Sequence, residues 1–160
     1  MGAILVLGSA LTIYGTLNDS LGNYSLSMYT IDSNENYGIY IMFGVASRNN
    51  GTTDAISAEL KNLGFTMDNT LQELISMLVV DGDKKQRYIR LEVNSNSSNF
   101  NNSLPITGSA NVLEIHLTGN GRGYARCFYI SNGGEYTAHI HNGTIGSWYQ
   151  IQKTKVTQST

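Results

Sequence analysis

Tyr136-Thr-Ala-His-Ile-His-Asn-Gly-Thr-Ile-Gly-Ser-Trp-Tyr-Gln-Ile151 is the stretch on which the reading of this chain turns. Tyr136–His141 reads as a strand, Asn142-Gly143 as a tight hairpin turn, and Ser147–Ile151 as the returning strand. Gly146 precedes that last strand, which carries the chain's only tryptophan, Trp148. Working backwards, Asn132-Gly-Gly134 and Gly119-Asn-Gly121 mark two more turns. Between them Tyr124–Ser131 alternates as a strand. Before them Leu113, Ile115 and Leu117 alternate with Glu114 and His116. The last part of the chain is therefore expected to be an antiparallel meander.

Further back, Arg87–Asn94 is expected to be a half-buried strand, with Ile89, Leu91 and Val93 on one side and Tyr88, Arg90 and Glu92 on the other. Asn94–Ser103 reads as a polar loop broken by Phe100, and Pro105 sits just before the next strand. Thr70-Leu-Gln-Glu73 is a capping box opening a helix whose apolar face is Leu71, Leu74, Ile75 and Leu78, ended by Asp81-Gly82-Asp83. Thr53–Leu63 is expected to be a helix with a stripe of Ile56, Leu60 and Leu63, stopped by Gly64. Arg48-Asn-Asn-Gly51 reads as a turn, and Ile39–Val45 as a strand covered on both faces. Tyr24–Ile31 fits a short helix or a strand. Leu11–Tyr14 and Ala3–Leu7 read as short strands, and Asn18–Asn23 as a loop.

The resulting fold class is α+β: a small α/β unit over residues 1–66, a β-rich antiparallel knob over 67–152, and a frayed tail over 153–160. With 160 residues the chain can bury a real core. Charged residues make up 14% and the net charge is −2, which argues against nucleic acid and against an anionic membrane surface as partners. Ala3–Leu7 is too short to span a bilayer, and no targeting segment is expected. Abundant Asn, Ser, Thr and Gly with ten tyrosines offer neutral hydrogen-bonding groups and flat aromatic faces, which suit sugars. Cys127 is the single cysteine, so no disulfide forms within the chain, and it reads as a small buried hydrophobe. The sequons at Asn18, Asn23, Asn50, Asn96, Asn101 and Asn142 follow from composition.

Asn-Gly-Thr-Ile-Gly-Ser-Trp-Tyr-Gln-Ile (142–151) resembles the closing signature of the knob domain at the tips of phage tail fibres and phage-tail-like bacteriocins. The order upstream matches as well: Thr-Leu-Gln-Glu-Leu-Ile (70–75) after Leu63-Gly64, then Ser-Leu-Pro-Ile-Thr-Gly (103–108), then Val-Leu-Glu-Ile-His (112–116). Ile145 departs from the pattern, standing where many such knobs carry a first tryptophan. The first part resembles the interleukin-like EMT-inducer domain, through Leu11-Thr-Ile-Tyr-Gly15, Ile39–Val45, Ala46-Ser-Arg-Asn49 and Ala58-Glu-Leu-Lys-Asn-Leu-Gly64. The knob resemblance implies a non-catalytic, homotrimeric receptor-binding protein at the tip of a virion tail fibre, and the second resemblance implies a lectin-like architecture. Such a protein is made in the bacterial cytoplasm and attaches outside the cell to a bacterial cell-surface polysaccharide.

Six residues are the candidate ligand contacts. Tyr136, Trp148 and Tyr149 can stack on a sugar ring. Alternation puts Trp148 and Tyr149 on opposite faces, with Trp148 expected toward the core or an interface. Arg126 lies between Tyr124 and Phe128 on one strand face, where it can bind an anionic glycan or pack by its stem. His139 and His141 share a strand face. That pair is a start on a metal site, a glycan contact, or simply exposed. No metal or other cofactor is expected, since no further ligand sits at suitable spacing. No enzyme is expected either. The chain has no Gly-x-Ser-x-Gly and no His-Glu-x-x-His. Gly119-Asn-Gly-Arg-Gly123 lies in a hairpin and is no phosphate loop, and Asp32, Glu35, Asp54, Glu73 and Glu92 scatter over unrelated elements. A monomeric carbohydrate-binding module and a purely structural trimerising cap remain as alternative readings.

Overall fold

The strand Asn111–Thr118 sets the pattern for the whole sheet. Leu113, Ile115 and Leu117 project to one face and are no more than 1% exposed. The neighbouring strand Gln86–Ser95 repeats the alternation with Ile89, Leu91 and Val93, all fully buried. Ile89 lies opposite Ile115 and Leu91 opposite Leu113, so a two-residue period in each strand becomes one apolar face.

The computed structural model describes residues 11–18, 23–30, 38–49, 53–79, 85–95, 98–106, 110–130 and 133–154. In chain order they form β1 (Leu11–Asn18), β2 (Asn23–Thr30), β3 (Gly38–Asn49), β4 (Thr53–Ile56), α1 (Ala58–Asn62), α2 (Leu71–Leu78), β5 (Gln86–Ser95), α3 (Asn99–Asn102), β6 (Asn111–Thr118), β7 (Arg122–Tyr129), β8 (Glu135–His141), β9 (Thr144–Ile145) and β10 (Tyr149–Gln150). The strands make one sheet in the order β1-β2-β3-β5-β6-β7-β8-β10, with β4 beside β3 and β9 beside β8. β3 and β5 are parallel, and the other described pairs are antiparallel. The fold is mostly β, and the sheet curls into a half-barrel.

The inner face of this sheet carries the core. Met42, Ala46, Ile89, Leu91, Leu113, Ile115, Ala125 and Ile140 pack with Leu60 of α1, with Leu71, Leu74, Ile75 and Leu78 of α2, and with Phe65, Met67, Phe100 and Leu104. The core runs without a break through residue 66, where the sequence suggests a division, and the parallel β3–β5 ladder joins the two sides. Helix α2 has the capping box that its sequence announces. Thr70 Oγ1 accepts from the Glu73 amide at 3.2 Å, and Glu73 accepts from the Thr70 amide at 2.6 Å. The Thr70 amide, and then the Thr70 hydroxyl donating to the same carboxylate at 3.0 Å, hold the Glu73 carboxyl below its ordinary range.

Four expectations change. Thr53–Ile56 is strand β4, paired with residues 46–49, and the helix begins only at Ala58. Ser57 is turned back to β3, where its amide donates to Val45 O at 3.0 Å and its hydroxyl accepts from Val45 N at 2.8 Å, so its side chain bonds the sheet and does not cap the helix. Ile56 and Leu60 are buried as expected, but Leu63 is exposed. The loop 94–103 contains α3, capped by Ser98 and anchored by Phe100, whose ring meets Phe65 edge-on at 4.9 Å. β3 is covered on one face only: Met42 is buried, whereas Phe43 on the opposite face is exposed. Of residues 24–31, open between helix and strand, 24–30 lie in β2, and Ile31 falls outside the described residues. The expectations for Ala3–Leu7, the interior of the 18–23 loop, residues 50–51, Asp81–Asp83 and the tail beyond 154 lie outside the described residues.

Arg48 fastens the end of β3 to β4 and to the turn that precedes α2. Its guanidinium meets Asp54 at 2.7 Å and Asp68 at 2.7 Å, while Asp54 also accepts from the Met67 amide at 3.1 Å. The Arg48 hydrogen bond, opposed by partial burial and aided by the Met67 amide, lowers the Asp54 carboxyl from its ordinary 3.8. A carboxyl lowered on folding adds stability above its unfolded value and loses it as pH falls through the folded value. Urea unfolding between about pH 5 and about pH 2 should therefore show Asp54→Asn less stable than wild type at the upper end. The variant should lose less on acidification, and equal slopes for the two proteins would show that Asp54 is not a source of acid lability.

Candidate functional site

The outer face, turned away from the helices, is built from the alternate residues of the same strands. The ladder registers arrange them in three cross-strand rows. The middle row runs Phe43, Arg90, Glu114, Arg126, Thr137, Tyr149. On one side of it lie Ile41, Tyr88, His116, Tyr124 and His139. On the other lie Val45, Glu92, Val112, Phe128 and Glu135. Cross-strand neighbours touch, as a sheet surface demands: Phe43 meets Tyr88 at 6.3 Å between centroids and His116 meets Tyr124 at 5.4 Å, both edge-on. The Arg126 guanidinium lies 4.9 Å over the Phe128 ring.

Charge runs through the middle of this face. Arg90 pairs with Glu114 at 3.3 Å, and Arg126 lies 4.0 Å from the same carboxylate. Arg126 also bonds Glu135, which Lys153 approaches to 3.3 Å. The Arg126 hydrogen bond, helped by Lys153 against burial, keeps the Glu135 carboxyl below its ordinary range. The same bond raises the Arg126 guanidinium. Burial, then the hydrogen bond with Glu114, pushes the Tyr88 phenol up. The face is a fixed lattice of rings and paired ions.

The six sequence candidates divide between the two faces. Arg126 and Tyr149 share the middle outer row, and His139 lies in the row beside it. His141 continues the outward face of β8 and is exposed. With Asn142 and Thr144 the two histidines line a shallow depression of about 480 Å³. Tyr136 faces the helix side, opposite Cys127 and Gln150, and Trp148 packs against the core. Among the described residues no three His, Cys, Asp or Glu side chains gather as metal ligands. Cys127 is fully buried, and burial pushes its thiol up to about 12. On the helix side, a cleft of about 330 Å³ lies between Tyr40, Glu59, Leu63, Met77 and Arg87, away from all six candidates.

A bulge sets which aromatic faces out. Ile140 pairs with Ile145, but Thr137 pairs with Tyr149, so residues 146–148 hold one residue more than their partner strand. The Gly146 amide keeps the turn closed on His139 O at 2.8 Å. The extra residue returns Trp148 to the core and sends Tyr149 outward. Two more contacts fix this hairpin. Gly143 donates to Gly121 O at 2.9 Å, and a Cβ on Gly121 would stand 2.7 Å from the Gly143 nitrogen, so the turns of two hairpins abut where only glycine fits. From α2, the Gln72 amide donates to Gly143 O at 2.7 Å and accepts from Ile145 N at 2.9 Å.

Alternation in the sequence puts Tyr88, Arg90, Glu114, His116, Tyr124 and Phe128 on strand faces. It does not supply the registers that bring those faces together, and it gives no signal for Phe43 or Glu135 as members of the same surface. The chain matches no protein-family model, no curated protein and no solved structure.

Gln72→Ala removes both amide bonds from β9 and should cost about 1–2 kcal/mol. The Ile145 amide should then lose protection in hydrogen exchange while the Leu113 and Ile115 amides keep theirs. Unchanged exchange at Ile145 would show that α2 does not hold this hairpin.

Proposed function

We propose that this chain is the receptor-binding tip of a phage tail fibre or tail-like bacteriocin, a non-catalytic domain that lays the outer face of its sheet on a bacterial cell-surface glycan. One observation carries the reading: two exposed rings, Phe43 at 43% and Tyr149 at 63%, stand at the ends of a row whose centre is fixed by ion pairs. Five strand spacings separate them, about 24 Å along the sheet, the length of several sugar rings. Rings offer stacking surfaces to the apolar faces of sugars, and the arginines, histidines and Thr137 between them offer donors to hydroxyls. Because strand pairing and ion pairs hold these groups in place beforehand, little order is lost on binding. The resemblance of the closing segment to tail-tip knobs supports the same reading, and with it assembly as a homotrimer within a longer fibre. Three weak sites on one particle then bind with avidity.

Replacing both Phe43 and Tyr149 by alanine removes two stacking contacts of about 0.5–1.5 kcal/mol each. It should weaken binding to host cells and their purified wall polysaccharide by roughly 10-fold or more, with the circular dichroism and melting temperature of wild type. Tyr136→Phe, on the helix side, should bind as wild type. Full binding by the folded double variant would remove the outer face from the mechanism. Light scattering tests the assembly: a mass three times 17.5 kDa is expected, and a stable monomer would favour a single-chain carbohydrate-binding module.

A further inference from the structure

Arg90, Glu114, Arg126, Glu135 and Lys153 form an unbroken line of charge across β5, β6, β7, β8 and the segment after β10. Each carboxylate is shared by two cations, Glu114 by Arg90 and Arg126, Glu135 by Arg126 and Lys153. Three cations and two carboxylates leave one positive charge. Depth separates the signs further. The side chains of Arg90, Arg126 and Lys153 are 48%, 38% and 54% exposed, and both glutamates only 11%. A ligand approaching this face meets guanidinium and ammonium groups, with the compensating carboxylates beneath them. Exposed Arg122 adds a fourth cation at the start of β7, and exposed Glu92 a third carboxylate. Among the described residues the balance of the face is positive, in a chain whose net charge is −2.

A guanidinium has five N–H donors, so engagement with a carboxylate on one side leaves donors for a second anion. The Phe128 ring beneath Arg126 helps hold that plane still. We infer that the glycan taken by this face is acidic, bound through its carboxylate or phosphate groups by Arg90, Arg126 and Lys153. This rests on the outer face being the glycan site. It fixes the chemical class of the ligand, which the aromatic rings alone leave open.

The test uses the full chain and three polymers of defined chemistry: polygalacturonate for carboxylate, poly(glycerol phosphate) for phosphate, and dextran as the neutral reference. Calorimetry should show binding to one or both acidic polymers and none to dextran. Raising NaCl from about 0.05 to about 0.5 M should weaken binding roughly 10-fold or more. Arg90→Gln with Lys153→Gln should cause a comparable loss. Arg126 is kept because it holds both buried carboxylates. Should Arg90→Gln unfold the protein, Arg122→Gln with Lys153→Gln at the exposed rim should still weaken binding several-fold. Dextran bound as well as the acidic polymers would overturn the acidic class. So would cell binding that depends on Tyr149 but ignores salt, and either result would leave the glycan reading standing. Acidic binding that survives the charge variants would remove these residues from the site. Failure to bind all three polymers and intact cells would end both proposals together.

Discussion

Six apolar side chains on two adjacent strands set the register of everything else. Ile89, Leu91 and Val93 on β5 and Leu113, Ile115 and Leu117 on β6 are all essentially inaccessible to water. A slip of one residue in either strand would exchange them for Tyr88, Arg90, Glu114 and His116, placing charges under the helices and leucines in solvent. Full burial of a leucine- or isoleucine-sized side chain is worth about 1.5–3 kcal/mol, so the correct register is favoured many times over. The order of the outer face follows from this choice. The cross-strand rows exist because the inner face admits one alignment.

The ions of the outer face are arranged so that burial does not work against folding. A carboxylate withdrawn from water is costly unless paired and hydrogen-bonded, and here each of the two withdrawn carboxylates has two cationic neighbours. Removing one cation from such a group would leave a second in place. The face thus keeps its geometry without help from any ligand.

Much of this architecture is legible in the sequence, for physical reasons that can be named. The capping box at Thr70 and Glu73 is a local device, complete within four consecutive residues, and it is present as read. The strands β5, β6 and β7 and the Asn142-Gly143 turn also announce themselves locally, through alternation and positive-φ residues. The hidden features are those decided at a distance. Thr53–Ile56 has a helical stripe but is captured by β3, because Ser57 and Asp54 bond across to Val45 and Arg48. Helix α3 spans only Asn99–Asn102, too short to show a period, and it depends on Phe100 finding Phe65. Alternation separates Trp148 from Tyr149, but which of the two faces out hangs on one inserted residue within 146–148, and that residue has no local signature.

The Gln72 amide has a further meaning for how copies of this chain can meet. It donates to Gly143 and accepts from Ile145, the bonds that an added strand would make with β9. A side chain from a helix thereby stands in for a neighbouring strand and occupies one carbonyl and one amide that an incoming chain would otherwise find. Strand-to-strand growth, the usual route to aggregation of open sheets, is blocked at that position. Contact with another copy at that position is left to side-chain surfaces, where shape and charge, and not bare backbone, decide what fits.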